Sequence, residues 1–420
     1  MLSKFREKLW KYTLENTDQI YSLGASLTRS LNRLLLVYVA SKFLSKSNFG
    51  ILSLFLAVYF FSRMFSDGCL QISFLKYGST EIEKSANVNF HIILLKILYV
   101  TIVSLLIFLF SHPISSFIGI NNLLLTKIVP LLIAFGFYSY CVQCLNAKIK
   151  MREVLIIELV QLSILLLLLF NLGTNVTQVE TYIKIMILSF SFSGIFAVLL
   201  NWQSLRFKWK FDKGLCLKLF DYSKYSVVLG MGSLIFQKTD IIMLGHLSTA
   251  EQVGTYGVAL IFIETINAII SAISNVSLPT ASLFHSQSRN DKIMSLYKNS
   301  IHNIYILSVP YIVAIIIFYP YLVKILYHGK YNDSITVVII LSIGSLFKPF
   351  GYIAGSIITG MGYVRIDNKN NWITAVVNVI LNLTFIPIWG VVGAAMATGV
   401  SLIVFSFLQY KSYLRCLITI

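Results

Sequence analysis

The chain has 420 residues, of which 57% are hydrophobic and only 12% are charged. Soluble domains carry about 25% charged residues, so this composition excludes an ordinary water-soluble globule and indicates a polytopic membrane protein. The formal net charge of +17 is better explained by basic loops at a membrane surface than by a nucleic-acid partner, and we expect no nucleic acid.

Apolar runs follow one another along the whole chain, each near the length of ~20 residues that a membrane-spanning helix needs. The predicted helices cover 17–43, 50–75, 89–111, 123–147, 154–173, 180–202, 220–245, 252–280, 297–327, 332–361, 369–388 and 391–413. Pro349 lies inside the tenth of these helices and could kink it; simple helix packing is the alternative interpretation. The predicted fold class is therefore an all-α polytopic membrane protein with about 12 transmembrane helices.

The basic residues of the loops predict the orientation. With the N-terminus in the cytoplasm, 21 Lys and Arg residues fall on the cytoplasmic side and 4 on the opposite side. Cytoplasmic loops carry an excess of Lys and Arg, so the pattern predicts an N-in and C-in topology. The basic, polar stretch at 1–16 is expected to be a cytoplasmic tail and not a cleaved signal, because the apolar run that follows is too long.

The sequence also contains a weak internal repeat. A shift of 204 positions places Phe49 and Gly50 on Val253 and Gly254. We predict an N-terminal six-helix bundle at 1–205, a basic cytoplasmic linker at 206–219 and a C-terminal six-helix bundle at 220–420. Two parallel repeats with an even number of helices are an arrangement of transporters, in which the substrate binds between the bundles and access alternates as one rocks against the other.

Charged residues deep in the predicted helices are the most informative feature. Each costs ~2.5–3.5 kcal/mol at a helix centre, so it is expected to face a partner or a wet cavity. Cations outnumber acids, six to four; they are Arg29, Arg33, Arg63, Lys96, Lys238 and Lys348 against Asp67, Glu158, Asp240 and Glu264. A set of structural ion pairs would tend to balance, so the excess favours a hydrated cationic cavity for an anionic substrate.

The candidate substrate-binding residues are the five cations Arg29, Arg33, Arg63, Lys238 and Lys348. Arg29 and Arg33 share one helix face, and the planar guanidinium suits phosphate because it bonds two oxygens at once. The competing interpretation is structural pairing; Arg63 and Asp67, four residues apart, are expected to be able to pair along their helix. The sequence leaves two roles open for the acids Asp67, Asp240 and Glu264: they could pair with cations, or they could carry a coupling ion.

Several chemistries have no support in the sequence. There is no GxxxxGK[ST] phosphate loop, the histidines lack metal-ligand spacing, and the pair Cys141-Val-Gln-Cys144 has no partner pair and is interpreted as packing. We therefore expect no cofactor and no metal site, and coupling, if any, to a proton or sodium gradient.

Four stretches resemble known membrane flippases. They are 26–50, 240–256, 378–395, with Gly390-Val-Val-Gly-Ala-Ala395 as its most family-like part, and Arg63-Met-Phe-Ser-Asp67-Gly68. The first three resemble the MOP superfamily (multidrug, oligosaccharidyl-lipid, polysaccharide exporters), within it most the Wzx-type O-antigen repeat-unit flippases. The fourth looks like the second helix of lipid-linked peptidoglycan precursor flippases, which use central arginines for pyrophosphate.

The resemblance implies a MATE-like fold and a non-enzymatic transporter in the bacterial inner membrane. Its substrate would be undecaprenyl-pyrophosphate-linked O-antigen repeat units, flipped from the cytoplasmic to the periplasmic leaflet in lipopolysaccharide biosynthesis. The bilayer, an O-antigen polymerase and a chain-length regulator would be its partners. The alternatives are a MATE-type multidrug or cation antiporter, which would be expected to have an acidic cavity, and an O-antigen polymerase, which would be expected to have a large periplasmic loop.

Overall fold

The computed structural model describes residues 17–68, 70, 71, 74, 77, 82–171, 176–202 and 211–418. Within these ranges every regular element is a helix, as the sequence predicts. The predicted tail at 1–16 and residues 206–210 of the predicted linker lie outside the described residues. The helices are α1 (Thr17–Phe43), α2 (Lys46–Arg63), a π-helical turn (Met64–Gly68), α3 (Ile82–Ile118), α4 (Asn122–Thr126), α5 (Ile128–Ala147), α6 (Met151–Phe170), α7 (Val179–Asn201), α8 (Lys213–Leu247), α9 (Ala250–Ser286), α10 (Asn290–Tyr327), α11 (Ser334–Ser345), α12 (Lys348–Gly360) and α13 (Val364–Ile418).

The protein has a multi-pass membrane fold. Counting only described residues, 8 segments are long and apolar enough to cross a membrane, or up to 9 if α11 and α12 together form one bent span. α1 and α8, the first and seventh predicted spans, are not among them. Arg29 and Arg33 interrupt the apolar sequence of α1, and Lys238 and Asp240 interrupt that of α8. The total of about 12 transmembrane helices and the N-in, C-in orientation remain predictions.

The kink that the sequence allowed at Pro349 is confirmed. The helix expected over 332–361 is divided into α11 and α12, which are bent by 45° relative to each other. Pro349 stands in the first turn of α12, where its missing N–H costs no helical hydrogen bond and its fixed φ suits the start of a new helix. The bend places Lys348 at the beginning of a helix within the predicted membrane region.

A second break divides α13. Gly390 has φ 56° and ψ −129°, which is not helical, and it lies at the predicted boundary between the last two spans. The side chain of Gln252 on α9 accepts a hydrogen bond from the Val391 N–H at 2.8 Å. A Cβ added to Gly390 would lie 2.3 Å from Gln252 Oε1. Glycine is therefore required twice here, for the backbone angle and for the close approach of the amide.

We expect Gly390→Ala to lower the free energy of unfolding by about 1–3 kcal/mol, the usual cost of a strained backbone position. Thermal unfolding of the purified protein in detergent measures the change. Gly399→Ala in the same helix is the matched control, because its added Cβ would have only ordinary contact, 3.9 Å from the Gly344 Cα, and should not destabilise. Equal stability of the Gly390 variant and the control would contradict the prediction.

The described chain forms two compact units. The first comprises residues within 1–43, 58–115 and 121–228, and the second comprises 44–57, 116–120 and 229–420. Leu36, Leu165 and Ile185, from α1, α6 and α7, form a buried cluster in the first unit. Phe236, Ala375 and Leu402, from α8 and α13, form one in the second. The domain boundaries predicted at 205 and 220 stay predictions.

Within the second unit, the beginning of α2 packs closely on α9. A Cβ on Gly50 would lie 1.8 Å from the carbonyl oxygen of Ala250, and one on Gly254 would lie 2.2 Å from the carbonyl oxygen of Lys46. Two glycines thus allow the two backbones to touch, as small residues do between membrane helices. The shift of 204 positions aligns these same two glycines.

The same end of α2 is held by the turn before α11. Lys46 Nζ lies 2.7 Å from Asp333 Oδ2, and Lys330 Nζ donates to the carbonyl oxygen of Leu44 at 2.5 Å. Burial lowers the pKa of Lys330 to about 8, and the positive charge of Lys46 acts in the same direction. Residues 44–57 are therefore fixed to the second unit by polar contacts as well as by packing.

Candidate functional site

Arg63, the last residue of α2, is held by an aromatic ring. Its guanidinium carbon lies 3.8 Å from the centre of the Phe135 ring on α5, close enough for a cation–π contact. The Tyr59 hydroxyl, one turn earlier on α2, lies within electrostatic range of the guanidinium. Arg63 is half-buried and has no carboxylate partner among the described residues. Within the described part of the chain, no acid therefore neutralises its positive charge.

The predicted pairing of Arg63 with Asp67 is wrong. Asp67 pairs instead with Lys96 of α3, and its carboxylate accepts hydrogen bonds from Ser139 Oγ at 2.6 Å and Gln143 Nε2 at 3.4 Å. One reason is local: the helix becomes a π-helical turn at 64–68, and that wider turn removes the four-residue alignment of an α-helix. The other is tertiary, since α3 and α5 supply a complete set of partners.

The ion pair of Asp67 and Lys96 is buried. The two side chains are 4% and 6% exposed, and Ser139 links them, because it accepts from Lys96 Nζ at 2.7 Å while donating to Asp67. A buried ion pair is costly to break from one side, because the remaining charge is left uncompensated. The geometry therefore gives Asp67 a structural surrounding, in which a basic side chain already compensates its charge.

Arg29 of α1 also has a carboxylate partner, Glu158 of α6. The Arg29 Nε and Nη2 atoms lie 2.8 and 2.6 Å from the same oxygen, Glu158 Oε1. Glu158 is fully buried, whereas the Arg29 side chain is 49% exposed. The sequence identified Glu158 as a deep acid but could not assign it to Arg29, because 129 residues separate the two. Arg29 therefore has N–H donors accessible to a ligand, but Glu158 compensates its positive charge.

The contact between α1 and α6 continues beyond this ion pair. Asn32 Nδ2 lies 3.4 Å from both the Glu158 carbonyl oxygen and Gln161 Oε1, and Leu36 and Leu165 share the buried cluster described above. Residue numbers rise together on both helices, so α1 and α6 run parallel, as the predicted first and fifth spans should. Arg33 lies on α1 beside this contact and is exposed, with an interaction of its own.

The candidate cations of the second unit lie on α8 and α12. Lys348 Nζ donates to Asn267 Oδ1 of α9 and lies 5.1 Å from the centre of the Tyr352 ring. Glu264, one turn before Asn267, is within electrostatic range of Lys348, so these two predicted residues are brought together. Lys238 on α8 is half-buried and has a partner of its own.

Asp240 of α8 is buried among neutral donors. Its Oδ1 accepts from Asn382 Nδ2 at 2.6 Å, its Oδ2 accepts from Tyr256 Oη at 2.7 Å, and the Thr398 hydroxyl also donates to it. Asn382 additionally donates to Asn378 Oδ1 at 3.0 Å. No basic side chain pairs with Asp240 in the part of the chain that the structure describes. The sequence pointed to Asp240 but not to these partners, which come from α9 and both halves of α13.

Comparison with known proteins gives a consistent picture. Residues 39–336 match the model of a family described as "Polysaccharide biosynthesis protein". The chain is 28% identical over 202 residues to the probable low-salt glycan biosynthesis flippase Agl15 of Haloferax volcanii. That alignment covers 48% of this chain and 43% of the relative, so it spans less than half of the relative's length.

Two solved structures share the fold. An inward-facing multidrug resistance MATE family transporter of the MOP superfamily superposes with a TM-score of 0.77 at 12% identity, covering 93% of this chain and 94% of the other. The lipid II flippase MurJ in an inward closed conformation gives 0.76 at 14% identity, covering 94% and 87%. At these identities the likeness shows the fold alone, and it confirms the predicted MATE-like architecture.

Proposed function

Because this chain belongs to the polysaccharide biosynthesis protein family, we propose that it is a flippase, a transporter and not an enzyme, which carries lipid-linked oligosaccharides across a membrane. The observation that carries the proposal is Arg63, a partly accessible guanidinium without a carboxylate partner in the described chain. Relatives whose names describe glycan and lipid II flippases support the same class. Because the chain aligns with only 43% of the Agl15 relative, the transport activity of the whole protein is itself part of this proposal.

The headgroup of such a substrate carries phosphate, and the first unit offers the donors to bind it. Arg63 provides a planar fork that can bond two phosphate oxygens at once. Arg29 and Arg33, exposed on α1, would supply further donors. Lys238 and Lys348 of the second unit are the remaining candidate cations. We propose that these five residues bind the phosphate groups and that the lipid chain stays in the bilayer.

The specific substrate we propose is undecaprenyl-pyrophosphate-linked O-antigen repeat units, moved from the cytoplasmic to the periplasmic leaflet of a bacterial inner membrane. An O-antigen polymerase and a chain-length regulator would then act on the delivered units. The resemblance of the segment Arg63–Gly68 to lipid-linked peptidoglycan precursor flippases supports a polyprenyl diphosphate. The Haloferax volcanii relative places related flippases in archaea as well, so the sugar and the lipid are to be identified by experiment.

We propose that transport is driven by a proton or sodium gradient through Asp240. Its site is polar, since the Asn382 amide nitrogen and the Tyr256 and Thr398 hydroxyls donate to the carboxylate, and the Asn378 amide oxygen accepts from the same Asn382 nitrogen. Asn382 Oδ1 is buried without a hydrogen-bond partner. Oxygen ligands suit hard cations, and a buried carboxylate without a basic partner also suits a proton. Glu264, close to Lys348, is the second candidate.

We expect Asp240→Asn to remove the dependence of transport on the ion gradient. One charge moved through 100 mV is worth about 2.3 kcal/mol, so substrate accumulation should fall by up to about 50-fold. Transport into proteoliposomes, with sodium and pH gradients imposed separately, measures this. Asp367→Asn is the matched control, because Asp367 is another partly buried acid with a neutral donor, Gln409 Nε2 at 2.6 Å. Persisting gradient dependence in the Asp240 variant would exclude this residue.

The geometry disfavours the antiporter alternative. A carrier of organic cations needs an accessible acid, but Asp67, Glu158 and Asp240 are 3%, 0% and 4% exposed. Arg29, by contrast, is half exposed. Of the four deep acids only Glu264 is half-buried, and it lies near Lys348. The most exposed deep charges, Arg29 and Arg33, are cationic, which suits an anionic substrate.

The proposed function is tested in proteoliposomes that contain a polyprenyl-diphosphate-linked oligosaccharide. A glycosidase added outside cleaves only sugars in the outer leaflet, so flipping appears as a rise of the cleavable fraction above one half. Protein-free vesicles and a parallel assay with a cationic dye are the controls. We expect the lipid-linked sugar to move and the dye not to. Dye transport without sugar movement would overturn the proposal in favour of an antiporter.

A further inference from the structure

The ring beneath Arg63 is fixed on its other sides. Phe135 is 6% exposed and makes edge-to-face contacts with Tyr59, at 6.3 Å and 84°, and with Phe190 of α7, at 5.1 Å and 87°. Phe190 also contacts Tyr138, with ring centres 5.4 Å apart. Such aromatic clusters have defined geometry. The Phe135 face that Arg63 covers is therefore held in one orientation by neighbours on α2 and α7.

The way in which a guanidinium is held decides which of its donors remain for a ligand. All five N–H groups lie in the guanidinium plane, so a partner at the edge consumes donors and a partner on the face does not. In Arg29 the Nε and Nη2 atoms are turned to Glu158. In Arg63 the guanidinium carbon lies 3.8 Å from a ring centre, which places the group over the ring face. The neighbouring Tyr59 hydroxyl makes no hydrogen bond among the described residues, so it occupies no edge of the guanidinium.

We infer that Phe135 is a positioning residue that fixes the Arg63 guanidinium by its face and leaves its in-plane donors directed at the phosphate of the substrate headgroup. This inference rests on the proposed function. It assigns the binding step to two residues on different helices, Arg63 at the end of α2 and Phe135 in the middle of α5. It also explains why an aromatic ring, and not a carboxylate, holds the cation: an acid would neutralise the charge that phosphate requires.

If Phe135 served only to pack the helices, its replacement would have different effects from those expected for a positioning residue. The aromatic cluster offers a matched control for this comparison. Phe190 packs against Phe135 and Tyr138, and no cation–π contact to Arg63 is made by Phe190 among the described residues. Phe135→Leu removes both packing and the cation–π contact. Phe190→Leu removes a similar ring from the same cluster but leaves the contact with Arg63. Phe135→Tyr restores an aromatic face.

The experiment measures kcat and KM for transport of the polyprenyl-diphosphate-linked oligosaccharide by the full-length wild type and these three variants, together with their Tm in detergent. Cation–π contacts are worth about 0.5–2 kcal/mol, so we expect Phe135→Leu to raise KM by about 2- to 30-fold with a smaller change in kcat. Phe135→Tyr should return KM to near the wild-type value. Phe190→Leu should lower the Tm as much as Phe135→Leu does and leave KM unchanged.

Each outcome has a single meaning. An unchanged KM in Phe135→Leu, or an equal rise in Phe190→Leu, would overturn the positioning role while wild-type transport leaves the proposed function intact. Wild-type protein that does not transport the lipid-linked sugar would overturn the proposed function and, with it, the inference that depends on it. A raised KM in Phe135→Leu alone, a lowered Tm in both leucine variants and a normal KM in Phe135→Tyr would support the proposed function and the positioning role.

Discussion

Arg63→Ala should abolish transport of the lipid-linked oligosaccharide without unfolding the protein. Charge-assisted hydrogen bonds are worth about 1.5–3 kcal/mol each, so losing a bidentate pair to phosphate is expected to cost about 100-fold or more in transport rate at low substrate. Stability should change little, because Arg63 is only half-buried and its removal leaves no carboxylate without a partner in the described chain.

The measurement is the leaflet assay in proteoliposomes, with protein level and Tm as checks. Arg365→Ala is the matched control, because Arg365 is exposed at the beginning of α13, and its loss should be neutral. Arg63→Lys keeps the charge but lacks the planar fork, so intermediate activity is expected. Arg33→Ala is expected to act in the same direction as Arg63→Ala. Full activity in Arg63→Ala would reject the phosphate site.

Asp67→Asn should have the largest effect on stability. We expect the free energy of unfolding to fall by about 3–5 kcal/mol, because the buried Lys96 ammonium loses its compensating charge. Ser139 would remain as a neutral partner of Lys96 and cannot replace that charge. Unfolding in detergent, followed by heat or by denaturant, measures the change.

The matched control is a second ion pair on the surface. Asp221 and Lys224 lie 2.6 Å apart and are 61% and 53% exposed, so Asp221→Asn should change stability by about 0–1 kcal/mol. The double variant Asp67→Leu with Lys96→Met should recover most of the loss, since apolar replacement of a buried pair is often neutral or stabilising. A stable Asp67→Asn protein without transport would instead support the coupling role that the sequence left open for Asp67.

The structure differs from the sequence-based expectation in which charged side chains pair with each other. A spacing of four residues suggested Arg63 with Asp67, but Asp67 is bound by Lys96 and Ser139, the latter 72 residues away. The deep acids and cations had been identified, yet their pairing was not. Nothing in the local pattern around Phe135 distinguishes it from other apolar residues of a membrane helix, so its contact with Arg63 could not be predicted.

The amino-acid sequence alone indicated the all-helical membrane fold, a possible kink at Pro349 and the boundary between the spans 369–388 and 391–413, at which Gly390 lies. These features depend on apolar length and on backbone constraints of single residues, which are local. Three features became known only from the tertiary structure. Glu158 compensates the charge of Arg29, Asp240 accepts hydrogen bonds from neutral donors, and Arg63 lies on the face of the Phe135 ring. Those outcomes depend on which helices pack together, because a buried charge takes the partners that its neighbouring helices present.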